Sequence, residues 1–196
     1  MSRFAVIDTE TTWRDEVMSI GIAIADSADF KLIDKRYYIL LPFKNHGGMY
    51  SGVLYAKGIK PDLECERGKA IDDIKSFLVK YDIDSMFAYN ALFDYGHLPE
   101  LHYLKWYDIM KLASNQRYNT KIPKDVECYK TGRLKRGYGV ENIYRILSGN
   151  SGYNELHNAI RDSVDELEIM RMMGVPFERY DYAMIKNSIN SQEFMV

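Results

Sequence analysis

The sequence predicts an α/β domain in which helices flank a mixed β-sheet. Three apolar runs rich in strand-forming residues come first, and they follow one another too closely for a helix to connect them. Helical patterns then alternate with short strand patterns along the rest of the chain. Because no convincing linker divides these elements, we expect a single domain over residues 1–196.

The first three predicted strands cover residues 4–7, 17–25 and 34–41. Each run is rich in β-branched, aromatic or aliphatic residues, which are typical of strands. Short connections predict antiparallel pairing, since a parallel crossover needs a dozen or more residues. The glycine-containing stretch 43–61 that follows is predicted to be a loop with one short helical piece.

The later elements are predicted from hydrophobic spacing and from helix-ending residues. Ile71, Ile74 and Phe77 recur at helical spacing, and Gly174 with Pro176 ends the strongest helical pattern. Predicted helices cover residues 69–81, 91–103 (disturbed by Pro99), 140–147, 159–173 and 178–189; predicted strands cover 85–89 and 106–110; residues 115–139 are predicted to be irregular.

The composition excludes several classes of protein. With 46% hydrophobic and 28% charged residues the chain can bury a core, so wholesale disorder is excluded. The 26 Lys and Arg residues and 28 Asp and Glu residues give a net charge of −2. That charge excludes a strongly basic protein that coats nucleic acid, but it is compatible with a local basic patch. No apolar run approaches the roughly 20 residues of a transmembrane helix, so we expect no membrane partner.

The cysteines and the N-terminus indicate an intracellular protein. Cys65 and Cys128 lie far apart and have no CxxC or CxxH companion, which excludes a disulfide scaffold and a thiolate zinc site. The N-terminus reaches acidic residues after only a few apolar ones, unlike a signal peptide. We therefore expect a cytoplasmic location.

Asp8 and Glu10 form the first of three acidic clusters. If they end the first strand, its period-two alternation points both carboxylates to the same side. Two carboxylates on one face repel each other unless a cation lies between them. The alternative is a solvated strand end with a threonine-rich turn, which an isolated Asp-x-Glu favours.

The second cluster lies where the predicted strand 85–89 meets the next helix. Asn90 is a candidate N-cap of that helix, and Asp94 lies one turn inside it. An Asp in a first helical turn is often only a favourable partner of the helix dipole. Taken alone, Asp94 favours that interpretation.

The third cluster joins His157 to Asp162. Five residues on one helix correspond to about 140° around its axis, so the two converge only if His157 precedes the helix. The glycine-containing stretch 148–152 predicts a loop there, and we expect it to be mobile, with His157 open until substrate binds. Asp162 lies near an apolar helical stripe, where a carboxylate needs a partner. Asp165 and Glu166 are interpreted as a solvated face.

Together these side chains match the requirements of two-metal phosphodiester hydrolysis. Carboxylate oxygens suit Mg²⁺ and Mn²⁺, and two such ions about 3.5–4 Å apart stabilise the attacking and leaving oxygens of an in-line displacement. A histidine near the attacking water can act as general base, because its pKa lies near the working pH. The candidate catalytic residues are Asp8, Glu10, Asp94, His157 and Asp162.

The three clusters resemble the three motifs of the DEDDh 3′–5′ exonuclease superfamily, which includes proofreading polymerase subunits, RNase T and oligoribonuclease. The motifs correspond to residues 4–12 (FAVIDTETT), 89–94 (YNALFD) and 157–162 (HNAIRD). Weaker similarities lie at residues 58–60, 106–108 and 140–143. All occur in the expected order, and the resemblance spans roughly residues 4–173.

The resemblance implies an RNase H-like fold: a five-stranded mixed sheet whose first three strands are antiparallel, flanked by helices. It also implies a role for each acidic residue. Asp8 would bridge two Mg²⁺ or Mn²⁺ ions. Glu10 and Asp162 would hold the ion that binds the attacking water, and Asp94 would support the second ion. His157 would be the general base.

The resemblance further implies where the terminal nucleotide binds. The substrate-binding candidates are Thr9, Thr11, Thr12, Trp13 and Asn90. Trp13 departs from the superfamily, which usually has glycine after the Thr-Thr pair. Its indole either stacks on a base or packs against the protein.

Residues 121–136 carry the strongest local concentration of positive charge, with six Lys or Arg residues and two acidic residues. Tyr129 and Tyr138 lie within or beside this segment, as aromatic residues do in grooves for single strands. The alternative is a solvated loop, and the sequence leaves the two open.

The leading functional prediction is a metal-dependent 3′–5′ exonuclease that releases nucleoside 5′-monophosphates from single-stranded DNA or RNA. The alternatives are an oligoribonuclease-like enzyme acting on short RNA and a non-catalytic nucleic-acid-binding module on the same fold. The presence of all five candidate catalytic residues disfavours the module. The sequence leaves open the choice between DNA and RNA, and whether the chain forms a homodimer or binds a polymerase.

Overall fold

A computed structural model describes residues 2–185 and contains a six-stranded sheet. The strands are β1 (Arg3–Thr11), β2 (Val17–Asp26), β3 (Leu32–Leu41), β4 (Leu63–Glu66), β5 (Ser85–Ala88) and β6 (Lys105–Asp108). Their order across the sheet is β4-β3-β2-β1-β5-β6. The first three strands pair antiparallel, and the others join by parallel pairing. The predicted mixed sheet that begins with three antiparallel strands is therefore confirmed.

β4 was not predicted from the sequence. β4 is a four-residue edge strand that pairs in parallel with β3. Its sequence, Leu-Glu-Cys-Glu, carries two charges, and only Cys65 is buried. The sheet therefore has six strands and not the five expected. β4 is extended because it pairs with β3, although its own residues do not favour a strand.

Helices lie on both faces of the sheet. Within residues 2–185 the α-helices are α1 (Arg67–Lys80), α2 (Leu92–His97), α3 (Ile109–Ala113), α4 (Val140–Ser148) and α5 (Ala159–Met173). The bounds of α5 are those predicted, since Asn158 caps its first turn and Gly174 ends it in the left-handed conformation. No helix in this part of the chain is long and apolar enough to cross a bilayer.

Two predicted helices differ from the observed ones. The helix expected over residues 91–103 ends at His97, and a separate 3₁₀ turn, Pro99–Leu101, follows. Proline lacks the amide hydrogen that a helix needs, and its ring obstructs the preceding turn. Of the helix expected over 178–189, the described part forms a 3₁₀ helix, Phe177–Ala183, and residues 186–189 lie outside the described chain.

The strand expected over residues 106–110 is shorter than predicted. β6 ends at Asp108, whose side chain accepts the amide hydrogen of Met110 and caps α3. The glycine-containing stretch 43–61 holds two short 3₁₀ turns in place of the single helical piece expected. Residues 115–139 are irregular, as predicted, apart from isolated bridges.

The two faces of the sheet carry separate apolar cores. Phe4 and Val6 of β1 pack in the core that includes residues of α4 and α5, whereas the alternate residues of β1 pack in the core that includes α1. Asp8 and Glu10 continue the register of Phe4 and Val6 along β1. Both carboxylates therefore lie on the face that α5 covers.

A close contact between β2 and α5 fixes the height of that helix above the sheet. Gly21 pairs with Asp8 across β1 and β2. A Cβ at Gly21 would lie 2.1 Å from the carbonyl oxygen of Ala159. Only glycine permits this approach, and it brings the N-terminus of α5 against β1 at the level of Asp8.

Candidate active site

The predicted site residues meet in one cleft of about 420 Å³. β1 and the turn after it supply one wall, the turn after β5 and the first turn of α2 supply a second, and the start of α5 supplies a third. All ten residues line this cleft: Asp8, Thr9, Glu10, Thr11, Thr12, Trp13, Asn90, Asp94, His157 and Asp162.

Two carboxylate oxygens in the cleft are buried and have no hydrogen-bond partner among the described residues. They are Oδ2 of Asp8 and Oδ1 of Asp162. Burying such an oxygen without a donor is costly. Ligand atoms of Glu10, His157 and Asp162 all lie within 4.8 Å of one another, so one ion could contact all three. Oxygen donors at this density fit a hard divalent cation such as Mg²⁺ or Mn²⁺.

Asp94 reaches the cleft from the first turn of α2, where it is only 2% exposed. The Thr9 hydroxyl donates a 2.8 Å hydrogen bond to Oδ1 of Asp94. Asp94 lies in the first turn of α2, as predicted, and its burial with the hydrogen bond to β1 places its carboxylate in the cleft. Thr9, predicted to bind substrate, uses its hydroxyl to tie α2 to the strand.

Asn90 is not the N-cap of α2. It has a left-handed backbone with φ of +59°, and Ala91 occupies the N-cap without a side-chain hydrogen bond. The amide of Asn90 donates to Oδ1 of Asp108 at 3.1 Å. Since the sharp turn is held by Asp108, the Asn90 side chain stays exposed and lines the cleft.

His157 lies directly before the N-cap Asn158, outside α5, as the five-residue spacing to Asp162 requires. Its backbone φ is +56°, and its ring stacks on Tyr50 with centroids 3.9 Å apart and planes 15° apart. Asn158 is fully buried, and its Nδ2 donates to the carbonyl oxygen of Val53 at 2.9 Å. These contacts join the histidine to the loop between β3 and β4.

The opening of His157 before substrate binds, and the mobility of residues 148–152, stay predictions, because they compare two states of the protein. His157 is half-buried beside Glu10 and Asp162. Downstream of the loop, the Tyr153 ring stacks on Tyr144 at 3.9 Å between centroids. These contacts depend on distant residues, so the two glycines of the loop gave no indication of them.

The prediction that Asp165 and Glu166 lie on a solvated face is wrong, because their side chains are buried, with 3% and 2% exposure. Oδ2 of Asp165 accepts the Tyr153 hydroxyl at 2.8 Å and Nε of Arg161 at 3.1 Å. Oε2 of Glu166 accepts the amide hydrogen of Tyr89 at 3.1 Å. α5 contacts the sheet on one side and α4 on another, so more of its circumference is covered than its apolar stripe alone indicates.

Burial and mutual repulsion make the cleft a poor place for unneutralised carboxylates. Burial first, and then the neighbouring carboxylates, raise the pKa of Glu10 to about 9 and that of Asp162 to about 8. The pKa of Asp8 is raised for the same two reasons. Burial raises the pKa of Asp94 to about 7, against the hydrogen bond from Thr9. Each of these carboxylates would gain from a cation.

Several residues of the cleft were not predicted from the sequence. Glu155 lines it, and burial with repulsion from Glu141 raises its pKa to about 7. Tyr50 and Met49 come from the loop between β3 and β4, and Phe93 comes from α2. No spacing rule connects these residues to the acidic motifs. The position of Glu155, two residues before His157, was the one available signal.

Trp13 is 68% exposed at the edge of the cleft. Its amide donates to the carbonyl oxygen of Gly47 at 3.1 Å. The Thr12 hydroxyl accepts from the amide of Arg14 at 3.1 Å and donates to Glu16 at 3.2 Å. Thr12 therefore stabilises the turn that presents Trp13. The exposed indole is available for stacking and does not pack in the core.

Just after the basic segment, residues 121–136, the carbonyl oxygen of Tyr138 accepts a 2.5 Å hydrogen bond from the hydroxyl of Tyr89, which lines the cleft. Ile122 and Leu134 of this segment are buried in the core that includes residues of α4, and Val126 packs against that core. The guanidinium of Arg133 lies 5.3 Å from the centre of the Tyr138 ring. The segment is thus anchored in the core, and the residues that follow it contact the cleft.

Comparisons with known proteins detect similarity in structure and not in sequence. No family model matches the chain, and no curated protein matches it. A structure of Exonuclease X in complex with 5′ overhanging duplex DNA superposes with a TM-score of 0.54 at 19% identity, covering 90% of this chain and 96% of that one.

Two further solved structures superpose somewhat better. The nuclease domain of 3′hExo, a DEDDh family member, bound to rAMP, gives a TM-score of 0.61 at 15% identity over 89% of this chain and 94% of that one. E. coli Exonuclease I with a dT13 oligonucleotide gives 0.61 at 15% identity over 93% of this chain but 43% of that one. The chain therefore has the RNase H-like fold of the solved DEDDh exonuclease structures.

Proposed function

We propose that this chain is a divalent-metal-dependent 3′–5′ exonuclease that hydrolyses the terminal phosphodiester bond of single-stranded DNA or RNA and releases nucleoside 5′-monophosphates. The observation that carries the proposal is the convergence of Asp8, Glu10, Asp94, Asp162 and His157 in one cleft. They come from separate segments of the chain, and the four carboxylates have raised pKa values. Strongly shifted groups gathered in a cleft favour a catalytic role.

The carboxylates divide into two ligand sets. Asp8, Glu10 and Asp162 would hold one Mg²⁺ or Mn²⁺ ion, and the unpartnered oxygens of Asp8 and Asp162 support this assignment. Asp8 and Asp94 would hold the second. Two ions so placed supply electrostatic stabilisation of the attacking and leaving oxygens in an in-line displacement.

His157 would act as general base by accepting a proton from the attacking water. Burial lowers its pKa below the usual 6.5, against a smaller opposing influence of Glu141. The ring is therefore neutral at pH 7 and able to accept a proton. Its stack on Tyr50 restricts the ring to one orientation beside Glu10 and Asp162.

The terminal nucleotide would bind between the turn after β1 and the start of α2. Trp13 offers an exposed indole on one side, and Phe93 lines the cleft from the other. Stacking a base on an aromatic side chain contributes about 1–3 kcal/mol. Asn90, exposed in its left-handed turn, offers an amide that can hydrogen-bond the terminal sugar or base.

The solved structures support a nucleic-acid substrate. Exonuclease X is in complex with 5′ overhanging duplex DNA, E. coli Exonuclease I with a dT13 oligonucleotide, and 3′hExo with rAMP. These ligands include both DNA and an RNA nucleotide, so both substrates belong in the test.

The test is digestion of matched DNA and RNA single strands with Mg²⁺ or Mn²⁺, each labelled at the 5′ end. We expect a ladder that shortens from the 3′ end, with nucleoside 5′-monophosphates as products and no digestion in EDTA. Strands of two to 20 nucleotides distinguish a general exonuclease from an oligoribonuclease-like enzyme, which would prefer the shortest RNA.

The matched control is Asp8→Asn, which keeps the size of the side chain and removes its charge. We expect nearly complete loss of activity with retention of the fold, since the variant relieves repulsion among buried carboxylates. Activity of Asp8→Asn close to that of the wild type, or label release starting from the 5′ end, would contradict the proposal.

A further inference from the structure

A second cavity of about 530 Å³ adjoins the active-site cleft. Its rim carries the cationic side chains of Lys35, Lys57, Lys60 and Arg161, and Asp62 is the one carboxylate among its lining residues. Apolar side chains line the rest of it: Ile59, Leu156, Ile160 and Val164. The lining of the active-site cleft, by contrast, includes six acidic residues and neither Lys nor Arg.

The lysines of this rim are free to bind an anion. Within residues 2–185, neither an ion pair nor a side-chain hydrogen bond involves the ammonium groups of Lys35, Lys57 or Lys60. Oδ2 of Asp62 is already occupied by the amide of Tyr37 at 2.8 Å. Three unpaired cations thus surround a cavity in a chain whose net charge is −2.

The two cavities share the start of α5 as a wall. Leu156 lines the basic cavity while His157 lines the cleft, and Arg161 lines the basic cavity while Asp162 lines the cleft. Consecutive Cα atoms are about 3.8 Å apart. A ligand in the basic cavity therefore lies next to the proposed general base.

The rim is held in place by the same residues that hold His157. The Asn158 side chain donates to the Tyr37 hydroxyl at 3.1 Å and to the carbonyl oxygen of Val53 at 2.9 Å. Gly58 has φ of +85°, and the amide of Ile59 donates to the carbonyl oxygen of Ala56 at 2.9 Å. This turn presents Lys57 and Lys60 on a preformed surface.

We propose that the basic cavity binds a nucleotide of the strand that lies upstream of the terminal one, with its phosphate on Lys57 and Lys60 and its base against the apolar floor. This rests on the proposed function, which places the terminal nucleotide in the adjoining cleft. Every longer substrate must continue out of that cleft. A cavity of this size falls in the range of ligand sites, and unpaired lysines beside apolar side chains match the chemistry of a nucleotide.

The test compares Lys57→Gln/Lys60→Gln with the control Lys69→Gln/Lys75→Gln. The control removes the same charge from α1, which packs on the opposite face of the sheet from α5. Each protein is assayed on a dinucleotide with a 5′-hydroxyl, which lacks the phosphate of the upstream nucleotide, and on a 12-nucleotide single strand with the same two nucleotides at its 3′ end. Binding of a labelled 12-mer is measured in EDTA by fluorescence anisotropy from 50 to 300 mM salt.

We expect the Lys57/Lys60 variant to lose on the order of tenfold in kcat/KM on the 12-mer, with less than about twofold change on the dinucleotide. The slope of log K against log salt should fall by about 0.7 for each phosphate that the variant no longer neutralises. The control variant should match the wild type on both substrates.

An equal loss on both lengths, no loss on either, or the same loss in the control would each overturn the assignment of the basic cavity. None of these three outcomes contradicts the proposed function, provided that the wild-type enzyme digests strands from the 3′ end. A wild-type chain without exonuclease activity would instead refute the proposed function itself.

Discussion

At the level of single residues, the cleft combines deeply buried carboxylates with a histidine that is held in position. Glu10, Asp94 and Asp162 are 8%, 2% and 2% exposed, and each is more easily protonated than a solvent-exposed carboxylate. Such an arrangement is unfavourable for folding unless a cation compensates it. The chemistry and the stability of this protein are therefore linked at these residues.

Replacing His157 by alanine tests its assignment as the base. We expect the rate to fall by about 10²–10⁴-fold, as for loss of a general base. In the wild type the rate should fall as the pH drops below the lowered pKa of His157, and that acid limb should disappear in the variant. A pH–rate profile at saturating Mg²⁺ measures both. If excess metal restores the rate, His157 is a ligand and not the base.

Glu166 offers a second test at this scale. It is 2% exposed and accepts the amide hydrogen of Tyr89, while burial and the charges of Asp94 and Asp162 raise its pKa. Glu166→Gln keeps the acceptor and removes the charge, so stability in EDTA should be unchanged or higher. Glu166→Leu leaves the amide unpaired and should cost about 1–3 kcal/mol. Denaturant unfolding of both variants provides the comparison, and equal destabilisation would contradict this interpretation.

At the level of elements, the contact of α5 with β2 sets the geometry of the site. α5 carries Asp162, and its N-terminal extension carries His157. β1 carries Asp8 and Glu10. The distance between these two sets depends on how closely α5 approaches the sheet, which Gly21 permits.

Gly21→Ala should therefore separate the two sets of ligands. The added Cβ would lie 2.1 Å from backbone atoms of Ala159, which cannot move without shifting the helix. Overpacking of this kind costs about 1–3 kcal/mol, and we expect activity to fall with stability. Gly68→Ala is the control, because nothing lies within 4 Å of a Cβ there. Melting temperatures and the Mg²⁺ dependence of the rate would show the difference; equal behaviour of the two variants would refute the argument.

The basic segment, residues 121–136, gives a second prediction for an element. Neutralising Lys130, Arg133, Lys135 and Arg136 should weaken binding of long strands and flatten its salt dependence, since fewer counterions are released. Dinucleotide cleavage should suffer less, because a dinucleotide does not extend that far. Anisotropy titrations and dinucleotide kinetics measure the two effects. An equal loss on both lengths would place these cations elsewhere in the mechanism.

At the level of the whole molecule, the acidic cleft should make folding depend on pH and on divalent cations. The raised pKa values mean that the folded chain binds protons more tightly than the unfolded chain does. The corresponding stability is fully present below the unfolded values near 4, and it is lost as the pH rises through folded values of about 8 for Asp162 and about 9 for Glu10.

We therefore expect the metal-free protein to be less stable at pH 9 than at pH 6. The loss is at most about 1.4 kcal/mol per pH unit for each group that releases its proton. If Mg²⁺ binds the folded chain as proposed, it should offset much of this loss. Denaturant unfolding at pH 6, 7.5 and 9, in EDTA and in Mg²⁺, tests this expectation. Stability in EDTA that rises with pH over this range would contradict it.

Much of the fold and of the candidate site could be predicted from local sequence. Strand alternation placed Asp8 and Glu10 on one side of β1, and helical periodicity with Gly174 and Pro176 defined α5. The five-residue spacing between His157 and Asp162 required a histidine outside the helix, and the structure has it there. These features depend on the geometry of one segment, which its own residues specify.

Other features were decided by contacts between distant segments. β4 exists because β3 offers it hydrogen bonds, and Glu166 is buried because the turn after β5 lies over it. The stack of His157 on Tyr50, and the basic cavity beside it, require the loop between β3 and β4 to meet the start of α5. Hydrophobic periodicity reports which face of an element is apolar, but burial depends on how many other elements cover it. Only the tertiary structure supplies that information.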